Sequence, residues 1–370
     1  MNILVWHFGR KGAGPKYNYE MALALNELTS DDYEIHAAVS NDADNILDYH
    51  TAKLKLFSVN TYTGIFSAIL SLFKIFYIRK QFIKYIVDNE IDCVYCTMPH
   101  IWNFFFSSKF KSIGVRYLLT IHDPASHSGE ENKIIDYVSK LDRKNADAIV
   151  TLTNYAKDEL KHLDKKIFVI PHPAFSFAPA PTINVKELPD EKVKLVFFGR
   201  IHHYKGLDIL LDAYKKLKSE NEKFTLSIYG AGDMAPYMPT LHGLSDVHIE
   251  NRWILEEEIN EIMASHDICV TPYRDATQSG VIATAMACGV PVIATPVAGL
   301  KEQILDGETG LFSDDITARS LYKVIVRLSN DKLLYENISM NSLKFVKEQM
   351  TWEKAAVSSI SAIKSLCINN

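Results

Sequence analysis

The stretch that most restricts the fold of this chain covers residues 267–300. It begins with a short apolar run, Asp267 to Thr271, whose length and β-branched residues are typical of a buried strand. After a polar turn, small and apolar residues from Val281 to Cys288 predict a helix, and Val290 to Thr295 predicts the next buried strand. Strand, turn, helix and strand within about 30 residues match a βαβ crossover, so the sequence predicts parallel strands in an α/β fold.

The predicted helix would begin at the carboxyl edge of that sheet. The first N–H groups of a helix lack partners within the helix and carry partial positive charge, which suits a phosphate or diphosphate. Thr277, Gln278, Ser279 and Gly280 precede the helix, and small residues here would let a ligand approach the backbone. An ordinary crossover without a ligand would have the same pattern, so this stretch alone leaves both interpretations open.

Residues Ala285 to Thr295 read Ala-Met-Ala-Cys-Gly-Val-Pro-Val-Ile-Ala-Thr. This run resembles the donor-site segment of family 4 glycosyltransferases, which are retaining enzymes with the GT-B fold. In that family a Glu-x7-Glu pair flanks the same turn and holds hydroxyls of the donor sugar and ribose. The two positions here are Ala276 and Thr284. The resemblance therefore implies a variant in which Gln278 and Thr284 bind these hydroxyls as neutral groups.

A second match lies between a predicted strand, Val193 to Phe198, and a predicted helix that begins at Leu207. The loop carries Gly199-Arg200 and Lys205-Gly206. One guanidinium fork and one ammonium before a helix can neutralise a diphosphate. In the resembling family the matching cations hold the leaving group, which implies that Arg200 and Lys205 are catalytic. Two solvated surface cations are the alternative.

The first half of the chain offers a glycine loop and a histidine. Gly12 and Gly14 lie between a predicted strand, Asn2 to Phe8, and a helix predicted from about Lys16, an arrangement that makes either an anion cradle or only a tight turn. His122 follows a predicted strand that ends at Ile121, at the edge where ligands bind in parallel sheets. The resemblance places the glycine loop beside the donor diphosphate and the histidine beside the donor sugar, so it implies that His122 is catalytic.

The resemblance covers nearly the whole chain, strongly from 193 to 312. It also implies that the segment around Arg252 contacts the nucleotide base, largely through backbone atoms. The full set that it implies for donor binding is Gly12, Gly14, Lys16, Gly199, Gly230, Arg252, Trp253, Ile254, Thr277, Gln278, Ser279, Gly280 and Thr284.

Two domains are predicted from the length of 370 residues and from a proline-rich segment. Five of the 13 prolines fall between 171 and 189, which indicates a stiff connection, and the strand-loop-helix pattern begins again at Val193. We therefore predict an N-terminal domain over 1–178, a linker over 179–191 and a C-terminal domain over 192–350. The resemblance implies two Rossmann-like domains that face a central cleft, with a last helix in 351–370 that crosses back to the N-terminal, acceptor-binding domain.

Charge, cysteine content and acidic residues limit the partners and the compartment expected for this chain. A net charge of −5 and a pI near 6.2 argue against a general nucleic-acid-binding protein. Five scattered cysteines, including a lone Cys93-x-x-Cys96 in an apolar run, indicate buried thiols in a reducing compartment, which we expect to be the cytoplasm. The Asp42-x-Asp44 pair is a lone match with no supporting acid cluster and is typical of a solvated turn or helix cap, so no metal is predicted.

Residues 64–87 combine aromatic residues with Lys74, Arg79, Lys80 and Lys84. This composition is compatible with a helix lying on the inner membrane surface, but the cations are spread around the helix. A buried helix whose lysines reach the solvent is the alternative. No apolar run reaches the ~18 residues of a membrane-spanning helix.

The resemblance implies a retaining hexosyltransferase that uses a UDP- or GDP-linked sugar, and the proposed role of Arg200 and Lys205 requires no metal ion. The acceptor would be a glycan or a lipid-linked molecule, which favours a role in polysaccharide or glycoconjugate biosynthesis. Two alternatives stay open. A nucleotide-sugar epimerase can have the same two-domain fold, and the missing glutamates also allow a non-catalytic subunit that binds the nucleotide sugar.

Overall fold

The computed structural model describes residues 1–28, 32–61, 65–125, 132–177 and 184–367, with only the backbone described for 65–73. The chain divides into two compact units. The first contains the described residues up to Pro171 together with those from Trp352 onward, and the second extends from His172 to Thr351.

The first unit is built on a seven-stranded sheet with the order β3-β2-β1-β4-β5-β6-β7, in which every pair is parallel. The central strands are almost continuously buried, as expected for a parallel sheet covered on both faces. The strands are β1 (Asn2–His7), β2 (Glu34–Ser40), β3 (Lys55–Val59), β4 (Ile91–Cys96), β5 (Arg116–Ile121), β6 (Ala148–Thr151) and β7 (Lys166–Val169).

Helices connect these strands: α1 (Ala13–Glu27), α2 (Ile46–Thr51), α3 (Ile65–Asp88), α4 (Asn103–Ser107), α5 (Lys133–Asn145) and α6 (Asn154–Glu159). An aromatic cluster between sheet and helices forms the core on one face. Trp6 of β1 packs against Phe82 of α3 and Phe106 of α4, with ring centroids 5.2 and 5.9 Å apart. Much of the aromatic content of the chain is therefore explained by packing.

The second unit has a six-stranded parallel sheet with the order β10-β9-β8-β11-β12-β13. Its strands are β8 (Val193–Phe198), β9 (Phe224–Tyr229), β10 (Val247–Glu250), β11 (Ile268–Thr271), β12 (Val292–Ala294) and β13 (Leu311–Phe312). Its helices are α7 (Leu207–Glu220), α8 (Met238–Leu241), α9 (Glu256–Ala264), α10 (Gly280–Ala287), α11 (Ala318–Leu328) and α12 (Lys332–Gln349). The predicted crossover of strand, helix and strand is β11-α10-β12.

The last helix, α13 (Trp352–Cys367), belongs to the first unit, where it packs against α1. At one end the ring of Trp352 lies 4.9 Å from that of Tyr17, and in the middle Ser359 Oγ donates to Tyr95 Oη at 3.3 Å. The predicted return of the last helix to the N-terminal domain is thus present.

The chain passes from the first unit to the second between Pro171 and His172, whereas the sequence places a linker over 179–191. The segment after Pro171 is fixed to the second unit: Ala174 N donates to Met350 O at 2.9 Å, and Asn260 Nδ2 donates to Phe177 O at 2.8 Å. Residue 178 and residues 179–183 of the predicted linker lie outside the described residues.

Candidate functional site

The loops after β8, β9 and β11 lie at one edge of the second sheet, because all its strands are parallel. Two of the predicted glycines allow the loops after β8 and β9 to pass close to each other. Gly199 and Gly230 have φ angles of 115° and 143°, and a Cβ atom on Gly230 would lie 1.9 Å from the carbonyl oxygen of Gly199. Only glycine allows this conformation and this approach, so both residues shape the edge of the site.

The two predicted catalytic cations share one aromatic neighbour. Arg200 Nη2 donates to Tyr204 Oη at 3.4 Å, and Lys205 Nζ lies 5.1 Å from the centroid of the same ring. The Lys205 ammonium also lies 3.8 Å from the ring centroid of Tyr273, which follows β11. These contacts hold both cations at the carboxyl edge of the second sheet, where a negatively charged ligand would be attracted.

A residue that the sequence did not single out, Arg274, fixes the loop that carries these cations. Its backbone N–H donates to Tyr204 O at 2.7 Å, and Nη1 donates to Asp208 Oδ1 at 2.8 Å. Burial raises the pKa of Asp208, but hydrogen bonding and charge from Arg274 outweigh it and hold the pKa below its usual range. The signal available in the sequence was that Arg274 follows β11 and that Asp208 comes after β8, the neighbouring strand.

Gly206 allows the same loop to pass close to β11. Its φ angle is 67°, and a Cβ atom at this position would lie 1.9 Å from the carbonyl oxygen of Pro272. Gly206 is also the residue before α7, so the turn that positions Lys205 leads directly into a helix.

Tyr273 is a second position that sequence reasoning missed. Its side chain is fully buried, and its hydroxyl lies 3.3 Å from Ser279 Oγ while its ring contacts Lys205. It therefore links the loop of the cations to the start of α10. A tyrosine directly after Pro272, at the end of a buried strand, was the only signal in the sequence.

The start of α10 differs from the expectation that the backbone amides of 278–280 are all available to a phosphate. Ser279 N donates to Gln303 Oε1 at 2.7 Å, and Gln303 Nε2 donates back to Ser279 O at 3.2 Å. The amide of Ser279 is thus already bonded within the protein. Sequence could not reveal this, because Gln303 is brought here from beyond β12 by the fold.

The two positions that carry glutamates in the resembling family are buried. Ala276 packs in the core, and Thr284 Oγ1 donates to Gly280 O one turn earlier in its own helix at 2.9 Å. Gln278 differs from both: its Oε1 atom is buried and has no hydrogen-bond partner among the described residues. Because a buried polar atom without a partner is costly, Gln278 is the residue of this turn best suited to accept a ligand hydroxyl.

The neighbouring predicted positions are held by packing. Thr277 is buried, and a Cβ atom on Gly299 would lie 2.0 Å from the Thr277 carbonyl oxygen. Gly280 lies against Phe175 and His172, which would be 3.6 and 3.9 Å from a Cβ atom there. The sequence did not predict that Phe175 and His172 lie beside the start of α10.

Arg252 uses its side chain within the protein. The guanidinium donates to Glu250 Oε2 at 2.9 Å and to Glu258 Oε2 at 2.8 Å. Bonding to Arg252 lowers the pKa of Glu258 to about 2. The adjacent Trp253 is 49% exposed and Ile254 is buried, so this loop presents one large aromatic side chain to the solvent.

In the first unit, helix α1 begins at Ala13, three residues before the predicted start at Lys16. Gly12 precedes it with a φ angle of 84°, and Pro15 fits the first turn because its missing N–H would have no partner there. Gly14 lies over the ring of His7, whose Nε2 would be 2.4 Å from a Cβ atom at this position. Lys16 Nζ lies 3.4 Å from Glu20 Oε1, so this predicted ligand cation has an acidic neighbour.

His122 lies at the carboxyl end of β5, as predicted. Its Nε2 donates to Thr97 O at 2.8 Å, and its ring centroid lies 5.0 Å from that of Tyr17. Burial lowers the pKa of His122, so the imidazole is neutral at pH 7.

Two further histidines at this edge were missed. His7 Nδ1 donates to Met98 O at 2.9 Å, and burial lowers the pKa of His7 to about 4. Burial also lowers the pKa of His100 to about 3. His100 lines a pocket of about 190 Å³ with residues 8–11, so the edge combines neutral imidazoles with the cations Arg10 and Lys11. Both histidines lie at or just beyond a strand end, which was the available signal.

Other sequence expectations concern metals and membranes. No cluster of three or more His, Cys, Asp or Glu able to hold a metal ion occurs among the described residues. Within the described ranges, no helix is long and apolar enough to cross a membrane. On α3 the side chains of Phe76 and Tyr77 are 62% and 64% exposed, whereas Phe82 and Ile86 are buried. Residue 64 and the side chains of 65–73 lie outside the described part of the predicted membrane-contact segment.

Comparison with known proteins places this site in context. Residues 192–331 match the family model "Glycosyl transferases group 1". Two uncharacterized glycosyltransferases of Methanocaldococcus jannaschii are each 25% identical to this chain. One alignment covers 228 residues, which are 59% of this chain and 58% of the relative; the other covers 337 residues, 89% and 86%. The chain thus spans little more than half of the first relative.

Solved structures show a likeness over the whole fold. Sucrose-phosphate synthase from Thermosynechococcus elongatus has a TM-score of 0.75 and 16% identity, with all of both chains covered. Anabaena HepE, solved in complex with UDP-glucose, has a TM-score of 0.72 and 16% identity, covering 98% of this chain and 100% of the other. Residues 192–331 therefore match the glycosyl transferases group 1 family, and the chain has the GT-B fold with two Rossmann-like, parallel-sheet units.

Proposed function

We propose that this protein transfers a hexosyl group from a nucleotide-diphosphate sugar to an acceptor, with retention of the anomeric configuration. The observation that carries the proposal is the pair Arg200 and Lys205, held on one loop at the carboxyl edge of the second sheet. The match of residues 192–331 to a glycosyltransferase family supports the reaction class.

Charge stabilisation is the catalytic task of the second unit in this proposal. As the bond between the anomeric carbon and the diphosphate breaks, negative charge develops on the β-phosphate and positive charge on the sugar ring. Fixed cations stabilise the leaving diphosphate without reorganisation. Arg200 offers a planar fork and Lys205 a compact ammonium, and the start of α10 adds the partial charge of a helix N-terminus. The proposed reaction requires no metal ion.

Recognition of the donor sugar would fall to neutral groups. We assign the hydroxyl-binding role to Gln278, because its buried Oε1 lacks a hydrogen-bond partner among the described residues. Thr284 is the weaker candidate, since its hydroxyl proton already bonds to Gly280 O. UDP is the first nucleotide to test because HepE, which has a similar fold, binds UDP-glucose; GDP is the second.

The first unit would hold the acceptor and contribute His122. The neutral imidazole of His122 can exchange hydrogen bonds with hydroxyls at the sheet edge without adding charge. A glycan or lipid-linked acceptor, in polysaccharide or glycoconjugate biosynthesis, is the proposed substrate class. Exposed Phe76 and Tyr77, together with exposed Lys74 and Lys80, support contact of α3 with the cytoplasmic face of the membrane.

A direct test incubates the purified protein with UDP- and GDP-sugars and a panel of glycan and lipid-linked acceptors. Release of nucleoside diphosphate should depend on the acceptor, and the anomeric coupling constant of the product should match that of the donor. Arg200→Ala should lose roughly 10²-fold or more in turnover. Lys215→Ala, on the exposed side of α7, is the matched control and should retain full turnover. An inverted product or an unaffected Arg200→Ala variant would contradict the proposal.

Two other functions are separated by the same experiment. A nucleotide-sugar epimerase would change the stereochemistry of the donor without an acceptor. A binding subunit, which Ala276 and Thr284 at the glutamate positions would suit, should bind the nucleotide sugar by calorimetry and release no nucleoside diphosphate with any acceptor.

A further inference from the structure

The residue at the carboxyl end of β4 holds His122 in place. Thr97 follows β4 directly and is fully buried, and the neighbouring strand β5 ends directly before His122. His122 Nε2 donates to Thr97 O at 2.8 Å, and Thr97 N donates to Trp6 O of β1 at 3.2 Å. The backbone of Thr97 is therefore bonded both to the sheet and to His122.

This contact also decides which nitrogen of the His122 ring carries the proton. A carbonyl oxygen can only accept, so Nε2 of His122 is protonated. Because burial keeps the ring neutral at pH 7, Nδ1 has no proton and is a hydrogen-bond acceptor. In this tautomer Nδ1 accepts a hydrogen bond from a hydroxyl and cannot donate one.

The side chain of Thr97 connects this contact to the helices of the first unit. Thr97 Oγ1 donates to Asn18 Oδ1 of α1 at 2.7 Å, and Asn18 Nδ2 donates to Tyr49 Oη of α2 at 2.8 Å. Thr97 and Asn18 are completely buried, and Tyr49 is almost so. Three buried polar side chains thus form a continuous hydrogen-bonded chain that ends at the residue bonded to His122.

Helix α1 contacts His122 a second time. Tyr17, which precedes Asn18, packs its ring against the imidazole with the centroids 5.0 Å apart and the planes at 82°. The ring of His122 is therefore held by a hydrogen bond from one nitrogen and by the face or edge of an aromatic neighbour. Both contacts depend on the position of α1, the helix that follows the glycine loop.

Stability alone is a weak reason for a polar chain at this place. Buried polar groups must all find partners, and replacing both members of a buried hydrogen bond by apolar groups of similar shape can leave stability nearly unchanged. What a fully bonded buried network does provide is a single, rigid arrangement of its members. The chain from Tyr49 to Thr97 is therefore suited to fixing the geometry at the end of β4.

We propose that Thr97 and Asn18 are positioning residues for the transfer reaction, which hold the His122 imidazole in the orientation and tautomer that accept a hydrogen bond from a sugar hydroxyl. The inference rests on the proposed function, in which His122 bonds to hydroxyls at the sheet edge. Thr97 and Asn18 touch no substrate in this proposal and act only through His122. Misplacement of a reacting or orienting group by about 1 Å can cost about 10²-fold in rate.

The first test replaces Thr97 by valine, which keeps the shape of the side chain and removes its hydroxyl. With the donor and acceptor pair established for the unmodified protein, kcat should fall roughly tenfold or more, and the donor KM should change much less. Thr97→Ser keeps the hydroxyl and should retain most of the activity. Thr151→Val is the matched control: Thr151 is also buried at the carboxyl end of a strand in this sheet, its Oγ1 donates to Thr153 O at 3.2 Å, and the variant should keep a normal kcat.

A double variant separates positioning from stability. Thr97→Val alone leaves Asn18 Oδ1 buried without its donor, so the melting temperature should fall. Adding Asn18→Leu removes that polar group, so the melting temperature should recover at least in part, whereas kcat should stay low. A kcat that recovers together with the melting temperature would overturn the positioning role.

Nitrogen NMR of the His122 ring, assigned with a His122→Gln variant, is independent of activity. The unmodified protein should show a protonated Nε2 and an unprotonated Nδ1, Thr97→Val should shift the Nε2 signal or mix the two tautomers, and Thr151→Val should change neither. A proton on Nδ1, a ring signal unaffected by Thr97→Val, or an unchanged kcat in that variant would each overturn the inference. Failure of the unmodified protein to release nucleoside diphosphate with any acceptor would instead reject the proposed function, while the NMR comparison would still test the hold of Thr97 on the ring.

Discussion

Replacing Lys205 by methionine tests the charge on which the proposed reaction depends. Lys205 Nζ lies 3.8 Å from the centroid of the Tyr273 ring, and its stem packs in a half-buried loop. Methionine keeps most of the stem and removes only the ammonium, so the loop, which is fixed separately by Gly206 and Arg274, should keep its structure. We expect the melting temperature to change little.

The effect on the reaction follows from the charge. Opposite unit charges about 4 Å apart attract by roughly 4 kcal/mol in a partly buried protein site. Loss of one preorganised charge-stabilising group commonly costs about 2.7–4 kcal/mol of transition-state stabilisation. These values predict that Lys205→Met lowers kcat/KM by roughly 10²- to 10³-fold.

The assay follows release of the nucleoside diphosphate at several donor concentrations, with the donor and acceptor pair established for the unmodified protein. Lys215→Met, on the solvent face of α7, is the matched control and should keep normal kinetics. A kcat/KM for Lys205→Met within threefold of the unmodified protein, with an unchanged melting temperature, would refute the assignment of Lys205 to the leaving group.

Three further predictions follow from individual contacts. In denaturant titrations, Gly206→Ala should lower the free energy of unfolding by more than Gly114→Ala, which should cost about 1 kcal/mol. Both glycines have positive φ, but of the two only Gly206 lies against a carbonyl oxygen. Equal losses in the two variants would contradict the predicted clash at Gly206. Gln278→Ala should raise the donor KM about tenfold, the size of one lost hydrogen bond, and an unchanged KM would remove Gln278 from the donor site. Burial lowers the pKa of His7 from 6.5 to about 4, so between pH 6.5 and pH 4 the unfolded chain binds more protons than the folded chain. The free energy of unfolding should therefore be unaffected by His7 above pH 6.5 and should fall by about 3 kcal/mol as the pH drops toward 4. His7→Gln should flatten this part of the pH profile, and an unchanged slope would refute the prediction.

Local patterns predicted the fold well because each depends on neighbours in sequence. Runs rich in apolar residues, such as Val193 to Phe198, predicted buried parallel strands. The crossover predicted over 267–300 is present as β11-α10-β12. Boundaries were less exact: α1 begins at Ala13 because Gly12 and Pro15 are compatible with a helix start, whereas the prediction treated the whole glycine loop as irregular. The strand Val292–Ala294 is also shorter than the apolar run that predicted it.

Some residues of the candidate site were predicted from local sequence patterns, and others became apparent only in the structure. Sequence alone predicted a role for the loop of Arg200 and Lys205 and for the turn before α10, because both follow strands and precede helices. It could not find Arg274, Tyr273 and Gln303, which tie that loop and that turn in place. Their partners lie on other strands or beyond them, so no spacing along the chain connects them.

The sequence by itself determined that the chain forms two parallel-sheet units, and it placed cations, glycines and a histidine at their carboxyl edges, because strand length, helix periodicity and turn residues are local properties. Only the tertiary structure decided which of these groups are available. Folding assigned the Ser279 amide to Gln303 and left Gln278 Oε1 without a partner among the described residues. Such outcomes depend on the packing of residues far apart in the chain, and each buried polar group must find its partner among whatever that packing brings near.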